Sequence, residues 1–566
     1  MSEIRRSRGE YEWGILVSKS LTSGKKIILR KHDSVGLNEA QDDEEYLLNC
    51  FVDLGDLDQI KDFRSKKCLI LGRTGVGKTA LITKLKDEKQ EKVIIIDPEA
   101  LAMRHISNST IINYLVELDI DLNTFFKLLW RHEICVEIFT QHVKVVSETD
   151  HSNFIDKVQY YFKKNNPKHL KALEYLEQWK DTFWKTSDNH VSKMIEKTEN
   201  SVGSSLGMDV AGLQSKIKGR TELSREQIQE IKQRGQSIVN DVQMKEVMGL
   251  LDMLDDFIEY HKVKYYIVID RLDEKWVGND IRYKLIKSLI ETLRDLNRLQ
   301  NIKPLATLRY DLIGRVFDIS KDSGFQEEKY SSLFLNIRWN RAQLIRLIDE
   351  RINYQFKHRY SKRTRLSYKD ILPDKVLGVP TIDYIIDRTL MRPRDVIEFV
   401  NFCIECAIEE NDGIIHENTV IEAEERYSRS RLDSLYYEWF SDYPGLEQLI
   451  SLLKNKKDKL VVKDINKDAV MTLCKKYNDN PPKTDIDTED AMIRFVKDVL
   501  EGKMDSSEFV KRAMLILFRV GLIGIKKGNK MRWSTEISPK IEWDDIDDSA
   551  LVEIHPCYRK ALGIAE

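Results

Sequence analysis

Eight consecutive residues, Gly72, Arg73, Thr74, Gly75, Val76, Gly77, Lys78 and Thr79, carry the densest chemical signal in the chain. They fill the spacing G-x-x-x-x-G-K-[ST], in which glycines let backbone N–H groups curl around phosphate oxygens. Lys67-Cys-Leu-Ile-Leu71 before them reads as a strand buried on both faces, and Ala80-Leu-Ile-Thr-Lys-Leu85 after them has helical character. A helix starting there adds the partial positive charge of its N-terminus. Lys78 would reach the β- and γ-phosphates of a nucleoside triphosphate, and Thr79 would offer its hydroxyl to Mg²⁺. All eight positions are therefore nucleotide-binding candidates, with Lys78 also catalytic and Thr79 also a metal ligand.

A phosphate loop of this kind needs a carboxylate at the end of a neighbouring strand. Two apolar runs end in aspartate, Val93–Asp97 and Tyr265–Asp270, and the second continues Arg271-Leu-Asp273-Glu274. An Asp directly after a strand can hold Mg²⁺ through water, and a carboxylate two to four residues on can orient or deprotonate the attacking water. Asp97 is followed by Pro98, so 93–97 reads as the strand after the loop's helix. Asp270 is then the metal-side acid. Asp273 and Glu274 compete for the water, and the sequence does not choose between them. An amphipathic stretch, Ile281–Leu299, leads into Pro304-Leu-Ala-Thr-Leu-Arg309. A strand there would set Thr307 and Arg309 beside the γ-phosphate. Arg309 is a candidate sensor of nucleotide state, with a surface ion pair as its plainer alternative.

Taken in order, the phosphate loop, the block Ile267–Glu274, Thr307–Arg309 and Met391-Arg-Pro-Arg-Asp-Val-Ile-Glu-Phe399 resemble the AAA+-related branch of P-loop NTPases. Within it they resemble the STAND and KAP ATPases, the archaeal origin-recognition type, and a bacterial family known only as P-loop ATPases. The likeness spans roughly 45–440. Arg271 stands where such relatives often have a second aspartate, which excludes a carboxylate pair at 270–271. The resemblance implies that Arg392 and Arg394 belong to a helical lid facing the nucleotide. It also implies an oligomerising switch acting on a separate effector protein, with antiphage defence as one setting.

The elements that must position these groups give an α/β fold: a P-loop NTPase parallel sheet with a large helical insertion, a helical lid and a C-terminal winged-helix-like domain. The expected bounds are a lead-in at 1–60, the ATPase core at 61–103 and 262–340, the insertion at 104–261, the lid at 341–440 and the C-terminal region at 441–566. Part of the lead-in, Tyr46–Asp53 with Gly55-Asp-Leu-Asp, would either approach the adenine or simply pack. The insertion reads as helices at Asn113–Leu129 and Tyr160–Trp184, a Ser/Gly-rich passage at Ser201–Gly207, and a further helical run at Ser224–His261. Cys403 and Cys406 form a C-x-x-C inside a helical pattern, without a second pair at metal-finger spacing, and read as core. Across 506–533 seven basic residues (Lys511, Arg512, Arg519, Lys526, Lys527, Lys530, Arg532) face one acid, Glu508, in a helix–turn–hairpin layout. Downstream lies the acidic run Asp544, Asp545, Asp547, Asp548. The basic face suits either DNA phosphates or a protein contact, and the acids could neutralise it.

A net charge of −2 over 566 residues gives no global signal for nucleic acid or membrane. Seven scattered cysteines fit a reducing compartment, no apolar run reaches bilayer length, and the N-terminus lacks an apolar signal core, so a cytoplasmic protein is expected. ATP and Mg²⁺ are the expected cofactors. The function expected is an ATPase switch regulating a partner; the alternatives are a DNA-dependent ATPase or loader, and a γ-phosphate transferase.

Overall fold

The computed structural model describes residues 27–98 (except 39, 41, 90 and 91), 109–117, 120–146, 263–320 (except 273 and 275–277), 325–360, 365–440, 442–481, 491–534 and 543–564, with scattered single positions besides. It forms two compact units, one spanning Asp53–Arg338 and the other joining the segment up to Val52 with everything from Trp339 onward. The lead-in expected at 1–60 is thus divided. Its first helix, α1 (Glu44–Asn49), belongs to the second unit, and α2 (Asp56–Lys61) to the first.

In the first unit five strands form a parallel sheet: β1 (Leu69–Leu71), β2 (Val93–Ile96), β3 (Tyr265–Ile269), β4 (Ile302–Leu308) and β5 (Phe334–Asn336), in the order β2-β3-β4-β1-β5. Between β1 and β2 runs α3 (Lys78–Glu88). Every residue of β1, β3 and β4 is buried, as their continuous apolar runs require of strands covered on both faces. The sequence reading made the acid-bearing strand a neighbour of the loop strand. It is not: β4 lies between them.

Helices α4 (Thr110–Glu117) and α5 (Asn123–Val146) follow β2, and α6 (Asn279–Leu296) follows β3. Phe125, Phe126, Leu129 and Trp130 of α5 share one apolar cluster with the sheet and with Leu285, Leu289 and Leu293 of α6. The Trp130 indole donates to Leu285 O at 2.9 Å, and Arg131 pairs with Asp295 at 2.6 Å. The start of the expected insertion is therefore a layer of the core, since each large apolar side chain that it buries against the sheet stabilises the fold by about 1.5–3 kcal/mol. The expected helix Asn113–Leu129 is broken between Glu117 and Asn123. The expected features at Tyr160–Trp184, Ser201–Gly207 and Ser224–His261 lie outside the described residues, apart from single positions. After β4 comes α7 (Tyr310–Ile319).

The second unit begins with α8 (Arg341–Tyr360) and a two-residue hairpin pair, β6 (Lys375–Val376) and β7 (Val379–Pro380), followed by α9 (Thr381–Asp387), α10 (Pro393–Glu409), α11 (Glu417–Trp439) and α12 (Leu446–Ser451). Cys403 and Cys406 on α10 are buried, and burial pushes the Cys406 thiol up to about 11. Tyr46 of α1 packs edge-on against Tyr354 at 5.3 Å, Val35 N donates to Asn401, and Asp33 takes both guanidinium nitrogens of Arg359. These contacts give Tyr46 a packing role inside the helical unit. Strand β8 (Lys459–Val461), helices α13 (Lys467–Asp479), α14 (Ala491–Leu500) and α15 (Ser506–Val520), strands β9 (Ile523–Lys527), β10 (Lys530–Arg532) and β11 (Leu551–Ile554), and α16 (Pro556–Arg559) complete the unit. Their antiparallel sheet runs β10-β9-β11-β8. The helix and hairpin of a winged helix stand where the residue pattern put them, and β11 is a further strand inserted between β9 and β8. Among the described residues no helix is long and apolar enough to cross a membrane.

Candidate active site

Parallel register fixes which residues meet at the carboxyl edge of the sheet. Leu71 pairs with Leu308 and with Asn336, so Gly72 begins the loop level with Arg309 and Ile337. Gly75 and Gly77 take φ of 75° and 99°, the left-handed region that a side chain disfavours. Gly72 is needed for a different reason: a Cβ there would come within 2.5 Å of Val76 Cγ1. The loop opens into α3, which starts at Lys78 with no capping side chain and no acid in its first turn. Its first N–H groups and dipole are thus directed at whatever anion the loop receives. Lys78 Nζ folds back and donates to Gly72 O at 3.2 Å and Arg73 O at 3.1 Å.

Asp270 follows β3 at the same edge. Since Ile269 pairs with Ala306, and Ile70 with Thr307, the next position along brings Asp270 beside Thr307, itself beside the strand that feeds the loop. The Thr307 hydroxyl donates to Asp270 Oδ1, and Thr307 is buried. One hydrogen bond from β4 thus orients the acid that follows β3, and β4 is the strand paired with β1, which feeds the phosphate loop.

Arg271 has φ 60°, an unusual backbone for a side chain of its size. Its guanidinium lies 3.8 Å from Asp97, at the end of β2, and 3.8 Å from Glu274. The Glu274 backbone is also held, its N–H donating to Arg271 O at 3.2 Å and its carbonyl accepting from Arg282 at 3.3 Å. Asp273 lies outside the described residues. Arg309 caps the start of α7 and makes a two-pronged pair with Asp311, at 3.0 and 2.8 Å. The sequence sets Thr307 beside the γ-phosphate but does not pair it with Asp270. Asp56, at the start of α2 in the stretch expected to approach the adenine or to pack, is raised to about 6 by burial and by neighbouring Asp53.

The arginines expected of a lid lie in the other unit. Arg392, at the N-cap of α10, is enclosed: its Nε meets Asp395 at 3.0 Å, and another guanidinium nitrogen lies 3.8 Å from Glu438. Arg431 reaches the same Asp395 at 3.4 Å and Glu398 at 2.6 Å. Burial opposes ionisation of Asp395, but Arg392 and Arg431 outweigh it and hold the carboxyl below its usual range. The guanidinium of Arg392 is thereby committed to the core of its own unit, which departs from its expected nucleotide-facing role. Arg394 is less buried and donates to Asn38 O at 3.3 Å.

Among the described residues no group of three or more His, Cys, Asp or Glu would hold a metal by itself. A hydroxyl from Thr79 and a carboxylate from Asp270 are nevertheless a donor set that suits Mg²⁺, which takes one or two protein oxygens and completes its octahedron with phosphate oxygens and water.

Residues 342–436 match the family described as a FunZ-associated C-terminal helical domain. Over 561 residues the chain is 23% identical to the putative transposon gamma-delta 80.3 kDa protein of Escherichia coli (strain K12), covering 95% of this chain and 68% of that protein. A shorter likeness, 24% over 144 residues, covers 25% of this chain and 75% of the allergen Alt a 2 of Alternaria alternata. Two solved structures are similar to the chain at low scores. One is a Walker-type ATPase of Pyrococcus abyssi (10% identity, 88% of this chain and 95% of that one, TM-score 0.32). The other is the ORC2 protein of Aeropyrum pernix in ADPNP–ADP complexes (9% identity, 98% and 91%, TM-score 0.30).

Proposed function

We propose that the chain binds ATP with Mg²⁺ at Gly72–Thr79 and hydrolyses it. The observation that carries this reading is the convergence, at one sheet edge, of an uncapped helix N-terminus, a lysine folded over its own loop, and an aspartate oriented by Thr307. Lys78 would exchange the Gly72 and Arg73 carbonyls for β- and γ-phosphate oxygens, so that the ammonium meets charged acceptors in place of neutral ones. Thr79 and Asp270 would hold Mg²⁺, which when bound neutralises phosphate charge. Asp273 or Glu274 would orient the attacking water, and Arg271 keeps Glu274 close to the sheet edge. The wider reading is a cytoplasmic, oligomerising switch of the STAND/KAP kind, whose nucleotide state controls a separate effector protein, with antiphage defence as its setting.

The acids separate by phenotype. Asp270→Asn should weaken Mg²⁺-dependent nucleotide binding, whereas Glu274→Gln or Asp273→Asn should spare binding and slow turnover by about 10²–10⁴-fold for whichever residue serves the water. Nucleotide affinity and single-turnover hydrolysis, measured on the three variants, distinguish these outcomes. Normal hydrolysis in both Glu274→Gln and Asp273→Asn would move water activation elsewhere.

A second reading, a DNA-dependent ATPase or loader, is favoured by the β9–β10 hairpin, where Lys526 and Lys530 are exposed beside the basic helix α15.

A further inference from the structure

Lys527 and Lys530 are direct cross-strand partners at the base of the two-residue turn joining β9 to β10. Two like charges held opposite one another disfavour the hairpin unless something offsets them. The segment entering β11 supplies the offset. Asp545 takes Lys527 Nζ at 2.8 Å, and three residues later Asp548 takes Lys511 Nζ of α15 at 3.1 Å and accepts from the Ser507 hydroxyl at 2.5 Å. Between them Ile546 is buried and fixes the segment to the core. At its start the Trp543 ring lies 4.8 Å beneath the Arg512 guanidinium, which also pairs with Glu508. The two carboxylates therefore bridge helix and hairpin, each occupying a cation on a different element. Ser507 and Lys511 hold the Asp548 carboxyl below its usual range.

Anions set along a basic helix and an adjoining hairpin are what a phosphodiester backbone would also supply. We propose that Trp543–Asp548 is an acidic latch over the phosphate-seeking face of α15 and the hairpin, and that duplex DNA competes with it for Lys511 and Lys527. This deepens the DNA-dependent reading and is independent of nucleotide hydrolysis. A latch of two ion pairs that each keep one exposed partner is weak enough to be displaced, since water screens such pairs. Its effect is to set a threshold: DNA must arrive with enough phosphates to replace two carboxylates.

The test uses the full chain carrying Asp545→Asn with Asp548→Asn, and a labelled duplex titrated at several salt concentrations without nucleotide. Freeing two lysines should tighten binding about tenfold and steepen the log–log salt dependence by about 1.8, at about 0.9 per phosphate contacted. Adding Lys511→Gln and Lys527→Gln to the latch variant should reverse both changes. Circular dichroism and a melting curve on each protein guard against a misfolded hairpin. If wild type and latch variant bind with equal affinity and slope, the acids only offset the lysines and the latch is refuted while DNA binding stands. If neither binds at low salt, both fail.

Discussion

At the carboxyl edge of the parallel sheet, Arg271 stands 3.8 Å from both Asp97 and Glu274, with 40% of its side chain exposed. In the helical unit, Arg392 meets Asp395 at 3.0 Å with 7% and 0% exposed. The contrast follows from what surrounds each pair. Water screens the first, so each partner contributes about 0–1 kcal/mol and can exchange partners cheaply when a ligand or metal arrives. The second is sealed among apolar side chains, where removing one member strands the rest. Loose charge at the sheet edge suits chemistry, and tight charge in the helical unit holds helices together.

Breaking the buried cluster gives the largest expected effect on stability. Asp395→Ala leaves Arg392 and Arg431 without the carboxylate they share, and should cost about 3–5 kcal/mol, read as a shift in denaturant midpoint. Arg271→Ala should cost less than about 1 kcal/mol in the same assay. A comparable loss in the two variants would mean that the sheet-edge pairs are structural after all.

Some of this was legible in the residues because it is local. The phosphate loop, its strand and its helix are contiguous, so glycine spacing and an apolar run suffice to find them. The helix–turn–hairpin at 506–532 was found for the same reason. Strand order was not legible, since nothing within 265–270 says that β4 will separate it from β1. The pairing of Thr307 with Asp270 follows only from that register. Arg392 differs in the opposite sense: the resemblance of Arg392-Pro-Arg-Asp395 to a lid segment implies that it faces the nucleotide, and it is buried. Its burial depends on Arg431 and Glu438, which come from α11, a full helix later in the chain. The acidic run at 544–548 could be seen to threaten the basic face, but which acid meets which lysine depends on β11 adding to the hairpin sheet.

Steady-state phosphate release from ATP, measured for the wild-type chain and for Lys78→Ala with and without Mg²⁺, tests the central claim most directly. The wild type should show saturable, Mg²⁺-dependent turnover. Lys78→Ala should show none above background with an unchanged melting temperature, because the lysine's bonds to Gly72 and Arg73 are local to the loop. Turnover by Lys78→Ala at the wild-type rate, or a wild-type protein that releases no phosphate at saturating Mg²⁺ and ATP, would remove Gly72–Thr79 from the chemistry.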